Sequence, residues 1–376
     1  MKELTYVEIN LTKLYQNYCE LVKLNDGKPI IPVIKADAYG HGAKDIMVFL
    51  FSKGIRIFAV ARIEEALELA SLLEASGNKK VFANSDILVF CPIQSEYLSY
   101  IFDYPNIIPI VSDVEFIKQV DDIARKRGEI KKIGIEIDTG MGRLGIHHRD
   151  VGLLMDVLEG VKNIELSHFM SHFPSSDVDR DFSLYQISLF DSALEIIRKI
   201  FSNTLTHFSN SGGVLNVPEA SKYDFARCGL SIYGYYPNMS LKHKAKIVNS
   251  LTLKSHVVLR KFFKKGDSIS YNRTYFMDRD GYIAVVPCGY ADAIPTLYSN
   301  NMEVVINSKK YSVVGRITMD YFMVRVDESV NVGDEVLIFG GDHPDIRVED
   351  FASRVGLIPY EVVCGISKRV IRKYVL

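Results

Sequence analysis

The chain reads as an α/β protein: a (β/α)8 TIM-type barrel followed by a mostly antiparallel β domain. Three observations predict this. Short apolar runs alternate with stretches of helical periodicity through the first part of the chain, the pattern of a parallel βα architecture. Near Tyr235-Tyr236-Pro237-Asn238 that rhythm stops, and from Ile247 onward strand-like runs follow one another across turns. No GxGxxG follows the first strand, which counts against a dinucleotide fold. A length of 376 residues suits a barrel plus a smaller unit.

Taken in order, Tyr6 to Ile9 alternates as a strand does. Leu11, Leu14, Tyr15, Tyr18, Leu21 and Val22 then recur at helical spacing, with Thr12 the expected N-cap. Ile30, Ile31, Val33 and Ile34 form a short apolar run, read as a fully buried strand ending in Lys35. A helix is expected from Ala43 to Phe51, a strand from Arg56 to Val60, and a helix from Ile63 to Leu73 with early glutamates at its positive end. Strand Ile87 to Phe90, a helix near Val114 to Ala124, and strands Ile133 to Ile137 and Ile164 to Met170 continue the alternation. A long helix from about Phe182 to Ile200 and a strand near Leu205 to Phe208 complete it. The β domain is expected to hold strands at Ser255 to Arg260, Tyr282 to Val286, Glu303 to Ile306, Tyr311 to Val314, Phe322 to Val326 and Glu335 to Phe339. Turns such as Lys265-Gly266-Asp267 and Gly340-Gly341-Asp342 separate them.

Composition excludes several functions. Hydrophobic content of 48% and charge of 24% fit an ordinary soluble enzyme. A net charge of −1 supports neither a nucleic-acid nor a membrane partner. Five scattered cysteines show no CxxC or Cys/His spacing, so no metal site is expected. Cys91, Cys228, Cys288 and Cys364 read as buried free thiols in a reducing compartment. The opening MKELTYVEINLTKLYQN has no apolar signal core, and no apolar run could span a bilayer; the expectation is a cytoplasmic protein.

Lys35 is the candidate around which the chain is organised. A lysine at the C-terminal end of a buried parallel strand sits where α/β folds place their ligands. Partial desolvation lets such an amine lose its proton and attack a carbonyl to form a Schiff base. The segment Val33-Ile34-Lys35-Ala36-Asp37-Ala38-Tyr39-Gly40-His41-Gly42 closely resembles the cofactor-lysine segment of the alanine racemases, VVKANAYGHG. Those enzymes use pyridoxal 5'-phosphate (PLP), and Asp37 for Asn is the clear departure within KANAYGHG. The resemblance implies that Lys35 carries the covalent link to the cofactor and that Tyr39 binds its phosphate.

Further motifs match the same family in order along the chain. Asp138-Thr139-Gly140-Met141-Gly142-Arg143-Leu144-Gly145 matches DTGMGRLG, where the arginine bonds the phenolic oxygen of the cofactor ring and borders the substrate. Ser171-His172-Phe173 matches the THF segment; His168 lies in a similar Ser-His-Phe, and the spacing to Asp177 favours His172. His207-Phe208-Ser209-Asn210-Ser211-Gly212 resembles HxANSA, making Ser211 the implied phosphate ligand at a helix N-terminus. Arg227-Cys228-Gly229-Leu230-Ser231-Ile232-Tyr233-Gly234 resembles RPGIALYG. There Arg227 would face the pyridine nitrogen while Gly229 and Leu230 offer backbone N–H groups to the phosphate. A carboxylate at that place would keep the ring protonated and a strong electron sink; arginine cannot, which suits return of the proton to the same carbon. In the β domain, Ser270-Tyr271-Asn272-Arg273-Thr274-Tyr275 resembles GYGxTY with Asn272 replacing a glycine, and Tyr271 falls on the second catalytic base. Pro287 to Asp292 matches PxGYADG and Gly315 to Asp320 matches GRxxMD, so Tyr290, Met319 and Asp320 would face the substrate from a partner subunit. Tyr360 matches a family tyrosine near the phosphate and the substrate entry.

The resemblance implies an alanine racemase that interconverts L- and D-alanine and supplies D-alanine for peptidoglycan. Its two bases, Lys35 and Tyr271, would act on opposite faces of the substrate. A tyrosine with its ordinary pKa of about 10 is a poor base at neutral pH, and a chain through His172 to Arg227 would stabilise its phenolate. The family pattern places the PLP barrel at 11–239 and the β domain at 240–376 with residues 1–10 added. It also implies a head-to-tail homodimer in which each site borrows the partner's Tyr271. Alternatives are a racemase for serine or a broader set of amino acids, a PLP-carrying protein without catalysis, and a basic amino-acid decarboxylase. The last lacks support because paired HxGS and EPGR segments are missing. Glu136 stands where many relatives carry a lysine that carbon dioxide converts to a carbamate. Its carboxylate is expected to replace that anion and hold Arg143 by a charge-assisted hydrogen bond.

Overall fold

The computed structural model describes residues 3–376. Met1 and Lys2, expected to join the β domain with the rest of 1–10, lie outside the described residues. Strand β1 (Tyr6–Asn10) leads into a helix, Leu11–Leu24, whose N-cap is Asn10 rather than Thr12. The Asn10 side chain accepts from the Lys13 N–H at 2.7 Å, so strand end and helix cap are one residue.

Parallel strands β2 (Ile30–Pro32), β3 (Ile57–Val60), β4 (Asp86–Val89), β5 (Ile107–Val111) and β6 (Lys131–Asp138) follow, with a short β7 (Ile146–His147) paired to the end of β6. Strands β8 (Ile164–Met170), β9 (Leu205–His207) and β10 (Ala226–Cys228) continue the set. Parallel pairing joins β3-β4-β5-β6-β8-β9 and, separately, β10 to β2. Single parallel bridges Val33–Ala59 and His207–Phe225 join those two groups at both ends. Eight strands therefore close on themselves as a (β/α)8 barrel. Strand β5 escaped the sequence reading because Pro109 interrupts its run, although all five residues are buried.

The second domain is a nine-stranded sheet. Its strands are β11 (Leu251–His256), β12 (Leu259–Phe263), β15 (Gly281–Val286), β16 (Met302–Ile306), β17 (Lys309–Val314), β18 (Phe322–Val326), β19 (Glu335–Gly340) and β20 (Ile371–Val375), with β1 inserted between β11 and β20. A small pair, β13 (Ser268–Ile269) and β14 (Tyr275–Phe276), brackets the Tyr271 loop. The expected strand from Ser255 to Arg260 is in fact two strands parted at Val257-Val258. All pairings in the large sheet are antiparallel except β1 with β20. One hydrophobic core runs through both domains, from Leu14 and Ile31 to Val324 and Val363.

Between β2 and the helix Ala43–Ser52 the chain makes one left-handed turn. Ala36, Asp37, Ala38 and Tyr39 all have φ between 50° and 54°. Each such residue costs roughly 1–2 kcal/mol, so the turn exists only because its surroundings dictate it. Asp37 accepts from the Ala43 N–H at 2.8 Å, Arg372 donates to the Gly40 carbonyl at 3.2 Å, and the Tyr374 hydroxyl donates to the His41 carbonyl at 3.1 Å. A Cβ on Gly40 would strike the Val363 carbonyl oxygen and one on Gly42 the Tyr374 hydroxyl. Both glycines of the AYGHG segment are thus answered by the C-terminal part of the chain.

Candidate active site

A cavity of about 330 Å³ opens at the C-terminal ends of the barrel strands. Lys35, Tyr39, Glu136, Arg143, His172, Ser211, Arg227, Gly229, Leu230 and Tyr360 all line it, so ten of the residues singled out in the sequence converge there. Phe173, Asp177 and Asn210 of the same motif segments also line it, joined by Phe90 and Met170 as apolar wall and Ser176 as polar wall, which the motifs did not single out.

Lys35 is half-buried, and burial pulls its pKa below the usual lysine value, with the Arg143 guanidinium pulling in the same direction. Both effects enlarge the fraction of free, nucleophilic amine. Tyr39 is buried, its ring 5.1 Å from that of Tyr233 and 5.9 Å from that of Tyr360. Gly229 is small for a reason: a Cβ there would collide with the Tyr39 hydroxyl. The short helix Ser211–Asn216 begins at the same end, its N-cap Asn210 accepting from the Gly213 N–H at 2.9 Å. Its other first-turn N–H groups have no partner within the helix. Hydroxyl and amide donors are therefore gathered in the cavity that the Lys35 amine also lines.

Arg227 is buried at 3% exposure, and burial lowers its pKa to about 10. It donates to the His207 carbonyl and Nδ1 (both 2.9 Å), to the Ser171 carbonyl (2.7 Å) and to His172 Nδ1 (3.1 Å). A guanidinium can only donate, so both histidines must accept at Nδ1 and carry their proton on Nε2. His207 Nε2 then donates to His168 Nδ1 at 3.1 Å, which fixes that ring as well. His168, the alternative to His172 in the sequence, is a buried supporting residue outside the cavity. Burial and Arg227 hold His172 well below the usual histidine pKa, so it is neutral and presents an Nε2–H. Asn210 Nδ2 lies 3.5 Å from that nitrogen but both are donors, so no hydrogen bond joins them; Asn210 donates to the Phe173 carbonyl at 3.0 Å.

Glu136 points into the cavity and is 3% exposed. Burial raises its pKa, opposed first by Arg227 and then by Arg143. The expected hydrogen bond to Arg143 is not formed among the described residues: the guanidinium acts on the Glu136 carboxylate only through its charge. The reason is position, because Glu136 stands on the buried wall and Arg143 on the exposed rim loop.

Tyr271, Tyr290, Met319 and Asp320 do not line this cavity. Tyr271 is 69% exposed, Tyr290 48% and Met319 52%, on the surface of the β domain. The loops bearing Tyr290 and Met319 are sewn together by Tyr290 N–H to Thr318 carbonyl (3.0 Å) and Ala291 N–H to Met319 carbonyl (3.1 Å). Arg369 clamps them, bidentate to Asp292 and bonded to Asp320 at 2.9 Å, so the Asp320 carboxylate is already engaged. Asn272 has φ 60°, which explains how asparagine stands where a glycine is usual.

The family description "Alanine racemase, N-terminal domain" matches residues 9–237, and "Alanine racemase, C-terminal domain" matches residues 250–374. The chain belongs to the alanine racemase family. Alanine racemase 2 of Caldanaerobacter subterraneus subsp. tengcongensis is 36% identical over 99% of this chain and 95% of its own length. The alanine racemase structure of Clostridium difficile 630 superposes with a TM-score of 0.90 at 30% identity, covering 100% of this chain and 96% of that one. A Bartonella henselae alanine racemase with covalently bound pyridoxal phosphate gives a TM-score of 0.86 at 25% identity, with 100% of each chain covered.

The cavity fits that cofactor. Donors at the Tyr39–Ser211–Gly229 end suit a phosphate dianion, the half-buried amine suits an aldehyde, Arg143 suits a phenolate oxygen, and Arg227 suits a ring nitrogen that stays unprotonated. The cysteine reading needs correction: Cys228 and Cys288 are buried, Cys91 is half-buried, and Cys364 is exposed on the last short helix. Among the described residues no cluster of metal-binding groups occurs, and no helix is long and apolar enough to cross a membrane.

Proposed function

We propose that the chain is a PLP-dependent alanine racemase acting by two bases, Lys35 and Tyr271, with each site completed by a second copy in a head-to-tail dimer. The observation that carries this reading is the split of the machinery. Lys35, Arg143, His172 and Arg227 share one cavity, while Tyr271, Tyr290 and Met319 stand exposed on the other domain. Residues 11–239 form the PLP-binding barrel in this reading, and 240–376 with 1–10 form the domain lent to the partner.

Bound PLP supplies a carbonyl for the amino group of the substrate and an electron sink that makes its α-hydrogen acidic. Tyr39, Ser211 and the N–H groups of Gly229 and Leu230 would hold its phosphate, with the Tyr360 ring beside Tyr39. Lys35, its amine already depressed by burial and Arg143, takes or returns the proton on one face. The partner's Tyr271 serves the opposite face, because one base returning its own proton preserves configuration. His172 offers its Nε2–H to the phenolate and Arg227 fixes that tautomer from behind. Arg143 and the partner's Tyr290 and Met319 border the substrate. Product D-alanine would serve peptidoglycan synthesis in the cytoplasm. Purified, PLP-loaded protein tested with both enantiomers of alanine, serine and lysine should racemise alanine fastest; serine faster than alanine, or carbon dioxide release from lysine, would overturn the assignment.

A further inference from the structure

The turn that carries Lys35 is gripped by a carboxylate outside the cavity. Glu65 lies in the first turn of the helix Ile63–Ala75, which follows β3. Its Oε1 accepts from the Ala36 N–H at 2.7 Å, the peptide directly after Lys35. Its Oε2 accepts from the N–H groups of Ala61 at 2.7 Å and Arg62 at 3.1 Å, where β3 ends. One side chain therefore ties the end of β2 to the end of β3, at the point where the chain enters four consecutive left-handed residues. On the other flank the turn is held by Asp37 to the Ala43 N–H and by Arg372 and Tyr374 of β20. Glu65 also borders a second cavity of about 780 Å³ on the wall of this turn, apart from the one that Lys35 lines.

We infer that Glu65 is the positioning residue of the Lys35 amine: by holding the Ala36 N–H and the end of β3 together it fixes the turn from which that amine enters the cavity. Glu65 does not line the cavity that Lys35 lines. The charged groups that face Lys35 are Arg143, which favours the neutral amine, and Glu65, which favours the charged one; the Cys91 and Cys364 thiols and the His172 ring are its other titratable neighbours. This inference rests on Lys35 being the cofactor lysine.

The test compares PLP-loaded wild type with Glu65→Gln and with Glu64→Gln, which removes an equal charge from the same helix turn at an exposed position. Three readouts are taken: the pH at which the visible absorbance of the lysine–cofactor link changes, amide exchange of the segment 35–42, and kcat against KM. Glu65→Gln should move the absorbance transition to lower pH by about half a unit or more, since the carboxylate bonded to the peptide that follows Lys35 is lost. Exchange in the turn should rise about tenfold, and kcat should fall about tenfold with KM within about twofold. Glu64→Gln should move none of these. A helix-capping role alone would lower the melting temperature of Glu65→Gln while leaving absorbance and turn exchange at wild-type values, and that result overturns the inference. Should Glu65→Gln not fold, Glu65→Asp keeps the charge and shortens the reach: exchange in the turn should rise with the absorbance transition unmoved, and unchanged exchange refutes the role. If borohydride fixes no cofactor on Lys35 of the wild type, the assignment of Lys35 fails, and turn exchange in the cofactor-free proteins still decides the hold of Glu65 on Ala36.

Discussion

Glu136 shows best how a single side chain can be costly to the fold and kept at the site. It is a carboxylate on a barrel wall, between Ile135 and Ile137, both fully buried. Burial raises its pKa even though two arginines oppose the shift. A carboxylate whose folded pKa lies above its unfolded value near 4.3 contributes its full stability only below that value, and loses it as pH rises through the folded pKa. Glu136→Gln should therefore raise the denaturation midpoint of the cofactor-free protein at neutral pH, with the gain vanishing near pH 3. The same change should lower turnover several-fold, because Arg227 loses a buried carboxylate whose charge supports its own, and added bicarbonate should not restore it. A variant less stable than wild type at neutral pH would show that Glu136 is a net-favourable partner of the arginines instead. Asp320 teaches the converse: in sequence it looks free to meet substrate, and in the fold Arg369 already holds it.

The left-handed turn Ala36–Tyr39 is the element on which the rest depends. It aims Lys35 from one end and Tyr39 from the other, and no local preference favours it. Its glycines report on what lies against it. Gly42 has φ 89°, and an added Cβ would overlap the Tyr374 hydroxyl. Gly42→Ala should destabilise the protein by about 2–4 kcal/mol, from strain plus overpacking. Adding Tyr374→Phe removes the struck oxygen and should recover part of that loss in urea unfolding. No recovery would mean that backbone strain, rather than the contact with β20, dominates. The loop of Tyr271 follows the same logic: Ser270, Asn272 and Arg273 all have positive φ, and the loop rests on the small separate core of Ile269, Met277, Ile283 and Val314.

Across the whole molecule, one chain holds two incomplete halves of a site. Lys35→Ala should abolish the absorbance of the lysine–cofactor link and nearly all racemisation. Tyr271→Phe should keep cofactor binding and slow α-proton exchange of one alanine enantiomer far more than the other. Mixing the two inactive variants should restore activity, up to about a quarter of wild type, since hybrid dimers contain one site with both bases. Activity should also fall on dilution in wild type. No recovery after demonstrated subunit exchange would place both bases in one chain, against the exposure of Tyr271.

The sequence by itself determined the barrel rhythm, the change of pattern near Tyr235, and the ordered motifs that bring Lys35, Tyr39, Arg143, His172, Ser211 and Arg227 into one cavity. Those are legible because periodicity and motif spacing are local properties of the chain. Only the tertiary structure decided that Glu65 reaches Ala36, that His207 and His168 back Arg227, that Arg369 clamps two loops, and that β20 lies parallel beside β1. Each of these joins residues tens to hundreds of positions apart, and a hydrogen bond between such partners leaves no trace in the spacing of either segment. The missed strand through Pro109 has that origin too, since burial between neighbouring barrel strands outweighed the local preference, whereas the cap moved from Thr12 to Asn10 for a local reason, asparagine being the stronger N-cap.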